Sequence, residues 1–128
     1  MSTSEFFLIA LVGLVVFMYA RKFIMARAVT NYSAADLAER MGKRSEVVVL
    51  DVRTRNERQN SQIRGSMHIP LHELSSRIGE LEQHRSKEIV CYCQSGNRSV
   101  TAAYRLHKLG FQAANLKGGI AEWNFQNR

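Results

Sequence analysis

The sequence predicts an α/β fold, a small and mostly parallel central sheet flanked by helices, preceded by one N-terminal transmembrane helix. Three observations predict it. From Val29 onward, short apolar runs alternate with amphipathic stretches, the pattern of parallel strands joined by crossover helices. Two of the runs, Val47-Val48-Val49-Leu50 and Ile89-Val90-Cys91-Tyr92, are apolar on both faces, as strands covered on both sides are. Phe6 to Ala20 is a run of 15 residues without a charge. The resulting division is a short tail at 1–5, a transmembrane helix at 6–26 and one domain at 28–128. A domain of about 100 residues supports one core and not two.

The apolar segment comes first in the chain. Fifteen residues fall short of the roughly 20 that a span needs. Arg21 and Lys22 can snorkel, and Phe23-Ile24-Met25-Ala26 prolongs the apolar character, so Phe6 to Ala26 has the length. Two other readings compete. A cleaved signal peptide carries its cations before the apolar run; here Met1 to Glu5 has none and the cations follow, although Ala26-Arg27-Ala28 has the A-x-A form of a cleavage site. A buried core helix is not expected to be apolar all round at the extreme N-terminus and to run straight into basic residues. The positive-inside rule places Arg21, Lys22 and Arg27 on the cytoplasmic side. The expectation is a single-pass protein of the inner (plasma) membrane, N-terminus outside and domain in the cytoplasm.

Val29 to Tyr32 is a short extended piece. Ser33-Ala34-Ala35-Asp36 has the form of a capping box and should start a helix with Leu37, Ala38 and Met41 facing inward, ending at Gly42. Val47 to Leu50 reads as a buried strand ending at Asp51. Arg53 and Glu57 then stand four apart, the spacing of an ion pair on a short helix. Gly65 turns the chain into a short strand that Pro70 ends. Leu71, Leu74, Ile78 and Leu81 recur at helical spacing. Glu88 to Cys93 is the second buried strand, and Val100 to Leu109 an amphipathic helix closed by Gly110. Ala113 to Leu116 is the last strand. Gly118-Gly119 is a turn, and Ile120 to Phe125 a final helix carrying Trp123, the only tryptophan.

The net charge is +7. No basic stripe interleaved with aromatics is present, so nucleic acid is not the expected partner; an anionic small substrate or a membrane surface accounts for the excess. Cys91 and Cys93 are the only cysteines, two apart on one strand, a poor geometry for bridging each other. This fits a reducing compartment and a working thiol. The four histidines, His68, His72, His84 and His107, are scattered, with no zinc-type spacing, and neither metal nor cofactor is expected.

Cys93-Gln94-Ser95-Gly96-Asn97-Arg98-Ser99 joins a strand to a helix. Backbone N–H groups in such a loop, and those opening the helix, lack intrahelical partners and carry the positive end of the helix dipole. A cysteine at the lip of this nest holds its thiolate more readily than a free thiol, and the thiolate is the nucleophile. Both Asp51 and Cys93 fall at the carboxyl ends of strands, where α/β sheets bind their ligands.

Four pieces, in order, resemble the rhodanese (sulfurtransferase) family: Leu50-Asp51-Val52-Arg53 with Glu57; Ile63 to Pro70; Cys93 to Ser99; and Lys117-Gly118-Gly119-Ile120-Ala121-Glu122-Trp123. The resemblance covers about Val29 to the C-terminus, and with the N-terminal segment it is similar to the small membrane-anchored rhodanese proteins of bacteria. It implies a rhodanese-like fold and a two-step sulfur transfer through Cys93. The donor is thiosulfate or another persulfide-type compound, and the acceptor a thiol or protein cysteine. It implies Gln94, Ser95, Gly96, Asn97, Arg98 and Ser99 as the substrate-binding loop, with Asp51, Arg53 and Trp123 as supporting residues. Several roles stay open beside this. Arg98 either attracts an anionic donor or bonds loop carbonyls; Ser99 is a candidate cap for the helix; Asp51 reads as structural rather than as a proton carrier; Trp123 is either a wall of the pocket mouth or core; Cys91 reads as core. Arg58 stands where the family usually has an aromatic residue, which puts the packing of that corner in question. Two other functions compete with this one. A cysteine phosphatase or arsenate reductase has five residues between cysteine and arginine, where Cys93 and Arg98 have four. A non-catalytic membrane-tethered scaffold would have no need of the intact cysteine loop.

Overall fold

A computed structural model describes residues 1–43 and 47–127. Arg44, Ser45, Glu46 and Arg128, all within the expected 28–128 domain, lie outside the described residues. The elements run α1 (Thr3–Ala28), β1 (Thr30–Tyr32), α2 (Ala34–Gly42), β2 (Val47–Asp51), α3 (Arg55–Asn60), β3 (Met67–His68), two 3-10 segments (Leu71–Glu73 and Ser75–His84), β4 (Glu88–Tyr92), α4 (Asn97–Lys108), β5 (Gln112–Leu116) and α5 (Gly119–Gln126).

The five strands form one parallel sheet in the order β1-β5-β4-β2-β3. Parallel strands need crossovers, so helices cover both faces. Because side chains alternate along a strand, each central strand feeds two cores. Leu50, Val52, Cys91 and Cys93 face one core with Ala102, Ala103 and Leu106 of α4, Leu74 between the two 3-10 segments and Leu81 of the second. Val49, Val90 and Tyr92 face the other with Leu37 of α2, Ile63 and Ile120 of α5. The register pairs Leu50 with Cys91 and Asp51 with Tyr92. This parity decides which residues can meet Cys93.

The expected elements are present, with differences at their edges. α2 begins at the expected capping box, with Asp36 N–H donating to Ser33 Oγ (3.1 Å) and Ser33 N–H to Asp36 Oδ2 (3.2 Å). Its inward face is Ala34 and Leu37, while Met41 is exposed. Leu71 to Leu81 forms 3-10 segments rather than α-helix; the three-residue steps from Leu71 to Leu74 and from Ile78 to Leu81 suit three residues per turn. α4 starts at Asn97, three residues before the expected Val100, and Leu109 lies exposed beyond its end.

α1 is long and apolar enough to cross a membrane, by length and composition: 26 residues, with a mean hydropathy of 2.0 over its most apolar window. It starts inside the segment expected as a tail because Ser2 and Glu5 make a capping box, Ser2 N–H donating to Glu5 Oε2 (2.7 Å) and Glu5 N–H to Ser2 Oγ (3.3 Å). None of its residues is buried. Its C-terminal half lies beside α4.

Candidate active site

Cys93 directly follows the last residue of β4, and α4 begins four residues later. The turn between them needs Gly96. Its φ is +98°, a left-handed conformation that costs little only for glycine, and a Cβ there would stand 3.2 Å from Gly118 N. With the chain turned this way, Gly96 N–H donates to Cys93 Sγ at 3.1 Å, and the N-terminus of α4 faces the sulfur. α5 secures the other side of the loop. Ile120 N–H donates to Cys93 O (2.9 Å) and Ala121 N–H to Gln94 O (3.2 Å). A Cβ on Gly119 would fall 2.5 Å from Cys93 O, so only glycine allows that approach. The loop carbonyls are thus bonded by α5, and loop amides are left for the sulfur.

Cys93 is 1% exposed. Burial alone pushes its thiol up, but the Ser99 hydroxyl and the amides of Ser99, Ser95 and Gly96 outweigh it and hold the thiol below its usual range. Ser99 Oγ lies 3.3 Å from Sγ and donates its proton to Asn115 Oδ1 at 2.6 Å. In that arrangement the neutral thiol donates to Ser99 Oγ; once the sulfur ionises, the hydroxyl can turn toward it. Asn115 Nδ2 donates in turn to Asn31 Oδ1 (3.0 Å), which fixes the orientation of the Asn115 amide. Cys91, on the same face, is fully buried and apolar in surroundings, and burial drives its thiol far up. It packs as core.

Gln94, Ser95 and Asn97 are exposed on the loop, with Asn97 Nδ2 3.4 Å from Ser95 Oγ. Ser99 does not cap α4: the helix begins at Asn97 with Gly96 at the cap position, so Ser99 falls inside the first turn and its hydroxyl reaches Asn115. Arg98 is committed to Glu57, with Nη1 and Nη2 each 2.7 Å from its carboxylate oxygens. The expected Arg53–Glu57 ion pair is therefore replaced by Arg98–Glu57. The Arg98 hydrogen bonds prevail over partial burial and hold the Glu57 carboxyl at about 2.

Asp51, Arg53 and Trp123 are not brought to the sulfur. Asp51 is on the Tyr92 face of the sheet, fully buried. It accepts from Arg53 N (2.9 Å), Nε (3.0 Å) and Nη2 (2.9 Å), from Arg58 Nη1 (3.2 Å) and from Tyr92 Oη (3.0 Å). Burial raises its carboxyl, but these bonds prevail and hold it below the usual range. Arg53, 1% exposed, also bonds the carbonyls of Glu57 (3.3 Å) and Ser61 (2.6 Å). Arg58, in the place of the family's aromatic residue, fills that corner by bonding Ser66 O at 2.8 Å and Ser66 Oγ at 3.1 Å. Trp123 packs against the core that holds Val90 and Tyr92, across the sheet from Cys93.

Sequence reasoning missed Asn115 and the partnership of Glu57 with Arg98. Asn115 had a readable signal: it is the one polar side chain in the run Ala113 to Leu116, and a polar group inside a buried strand requires a partner. The β4–β5 register sets it beside Cys91, and its side chain reaches Ser99.

The chain matches the Rhodanese-like domain family over residues 33–126. A sulfurtransferase of Allochromatium vinosum is 31% identical over 96 residues, covering 74% of this chain and 88% of that protein. The crystal structure of a rhodanese-related protein from Thermoplasma volcanium has a TM-score of 0.69 at 35% identity, covering 76% of this chain and 92% of that one. A thiosulfate sulfurtransferase of Pseudomonas aeruginosa has a TM-score of 0.71 at 26% identity, over 80% of this chain and 20% of its own.

Proposed function

The chain belongs to the rhodanese-like domain family, and on that premise we propose that it is a sulfurtransferase carrying sulfane sulfur on Cys93, taking it from thiosulfate or another persulfide-type donor. In the first half-reaction the Cys93 thiolate attacks the outer sulfur of thiosulfate. A Cys93–sulfur bond forms, the donor's sulfur–sulfur bond breaks, and sulfite leaves with the electron pair. In the second, a thiophilic acceptor, cyanide or a thiolate, attacks the outer sulfur of the persulfide, and Cys93 departs as the thiolate. Each half needs an anionic sulfur that is stabilised without being locked to a fixed cation. The observation that carries this reading is the Gly96 N–H at 3.1 Å from Sγ, at the head of α4. Gln94, Ser95, Asn97 and Arg98 line the way in, and Ser99 supports the sulfur from within. The names of the similar proteins, a sulfurtransferase and a thiosulfate sulfurtransferase, support the same reaction class.

α1 supports a membrane tether. With Arg21, Lys22 and Arg27 on the cytoplasmic side, residues 6–26 span the bilayer and the 28–128 domain faces the cytoplasm, close to the surface.

The test is the intact mass of the full chain in a neutral detergent after incubation with thiosulfate and removal of excess donor without reductant. The expected product is heavier by one sulfur atom, returns to the starting mass with cyanide, and does not form in Cys93→Ser. No gain with thiosulfate and none with a glutathione persulfide would sink the reading and leave the tethered scaffold in its place.

A further inference from the structure

We propose that Asn115 is a positioning residue for Cys93: it draws the Ser99 hydroxyl proton away from the resting thiolate, and so favours the loading of Cys93 with sulfur. The inference rests on the reading of Cys93 as the sulfur carrier and adds the group that sets how readily its thiolate gives up charge. The direction of every proton in the chain of bonds is forced from its far end. Asn31 Nδ2 donates to two backbone carbonyls, Ala26 O at 2.9 Å and Val29 O at 3.2 Å. A carbonyl only accepts, so the other end of that amide, Oδ1, faces Asn115 and receives a proton from its Nδ2 at 3.0 Å. The Asn115 amide is thereby turned with Oδ1 toward Ser99, and at 2.6 Å the Ser99 hydroxyl can only donate to it. Ser99 has one hydroxyl proton to give, so Sγ, at 3.3 Å, faces the lone pairs of the hydroxyl.

That arrangement suits the neutral thiol, which donates to Ser99 Oγ. It opposes the thiolate. Either the hydroxyl stays on Asn115 and turns its lone pairs to a negative sulfur, or it turns to the sulfur and leaves Asn115 Oδ1, in a side chain only 3% exposed, without a donor. Loading removes the conflict. The thiolate's electron pair forms the bond to the outer sulfur of thiosulfate, the donor's sulfur–sulfur bond breaks, sulfite leaves with that bond's pair, and no proton moves. The inner sulfur is then uncharged, the negative charge sits on the outer one, and the Ser99 proton returns to Asn115. Discharge puts the charge back on the inner sulfur and restores the conflict. Asn115 thus makes the Cys93 thiolate a stronger nucleophile and a poorer leaving group. The titratable groups around the sulfur do not supply this effect. Cys91, on the same strand, is kept neutral by burial. Arg98 of α4 is paired with Glu57 of α3. Asp51 of β2 is bonded to Arg53 and Arg58 on the opposite face. The 3-10 region sends Leu74 and Leu81 to the core of Cys93, and its Arg77 pairs with Glu80. β5 carries no titratable residue, and Lys117, Glu122 and Arg27, at its flank and at the end of α1, are exposed.

The experiment uses the full chain in a neutral detergent and reads the pH midpoint of iodoacetamide labelling at Cys93, mapped by peptide mass. Asn115→Leu frees the Ser99 proton for the sulfur, and the midpoint should fall by about one pH unit. In the Ser99→Ala chain, adding Asn115→Leu should leave the midpoint unmoved, because Asn115 acts through that hydroxyl. Asn31→Ala, at an exposed position, lets the Asn115 amide turn over and should lower the midpoint in the same direction by less. Asn31→Asp keeps an acceptor for Asn115 and should not lower it. Single-turnover sulfur transfer, followed by intact mass at a pH above both midpoints, should split: Asn115→Leu loads from thiosulfate about threefold more slowly and discharges to cyanide about threefold faster. A midpoint that stays or rises in Asn115→Leu, or in Asn31→Ala where the buried variant does not fold, overturns the proposal. So does a fall that persists without Ser99, or loading and discharge that do not split. Absence of loading in the unaltered chain overturns the sulfurtransferase reading and this proposal with it, whereas normal loading with an unmoved midpoint overturns the role of Asn115 alone.

Discussion

Asp51 and Cys93 stand at the ends of neighbouring parallel strands, and each favours a negative charge inside the protein. The means differ. Asp51 is met by side chains: Arg53 from two nitrogens, Arg58 and Tyr92, with one backbone amide from Arg53 added. Cys93 is met by the backbone of its own loop and one hydroxyl, with the nearby arginine turned to Glu57. A carboxylate locked between two guanidinium groups is closed to chemistry and ties β2 to the segment after it. A thiolate held by amide dipoles keeps no permanent counter-ion, so it can form and lose a bond without breaking a salt bridge. Sheet parity keeps the two apart, Asp51 on the Tyr92 face and Cys93 on the Cys91 face.

The sharpest way to break this comparison is to remove each anion's support in turn. Asp51→Ala leaves Arg53 charged, 1% exposed and without its carboxylate. Breaking a buried pair from one side costs about 3–5 kcal/mol. Urea unfolding of the full chain in a neutral detergent, followed by fluorescence of Trp123, should show that loss. A loss near zero would mean that the Asp51 cluster does not hold the fold. The same variant should leave the pH midpoint of Cys93 alkylation almost where it was, because Asp51 faces away from the sulfur.

Gly96→Ala should do the reverse. Placing a non-glycine residue at φ +98° costs about 1–2 kcal/mol, and relieving the contact with Gly118 N moves the loop amide from the sulfur. The alkylation midpoint of Cys93 should rise toward that of an ordinary thiol, so that less thiolate is present at neutral pH. The pH profile of iodoacetamide labelling, mapped by peptide mass to separate Cys93 from buried Cys91, measures it. An unmoved midpoint would show that the backbone nest does not set the thiol.

The two regions were unequally legible before the structure. The strand, loop and helix around Cys93 could be read because the residues are contiguous and their chemistry is local: an apolar run, a glycine and a helix start. The Asp51 cluster was harder, since its partners Arg58 and Tyr92 come from separate segments and only the fold brings them to one face. Glu57 was assigned to Arg53 because four residues is a helical spacing, yet its partner Arg98 is 41 residues away. Trp123 stayed open between the pocket mouth and the core for the same reason: its face of the sheet follows from how α5 crosses over, which no local period records. Ser99 was read one turn too early, because a serine before an apolar helix resembles a cap and the true cap, Gly96, has no side chain to signal it.

The smallest effect tests the pair that lies between the two regions. Glu57 is held at about 2, below its ordinary 4.5, by Arg98. A carboxyl lowered on folding adds stability above the unfolded value, and that stability is lost as the pH falls through the folded one. The contribution of the pair is therefore complete above about pH 5 and disappears toward pH 2. The side chains are 29% and 38% exposed, so solvent screening reduces it to about 1 kcal/mol or less. Glu57→Gln should lower stability by that amount at pH 7 and match the unaltered chain near pH 2. Its effect on the sulfur runs the other way. Without Glu57, Arg98 no longer has its charge cancelled, so the alkylation midpoint of Cys93 should fall slightly and the KM for thiosulfate should fall with it, while kcat stays nearly level. A rise in the midpoint would mean that the pair supports the thiolate by shaping the loop rather than by its charge, and would move Arg98 from the Cys93 side of the comparison to the Asp51 side.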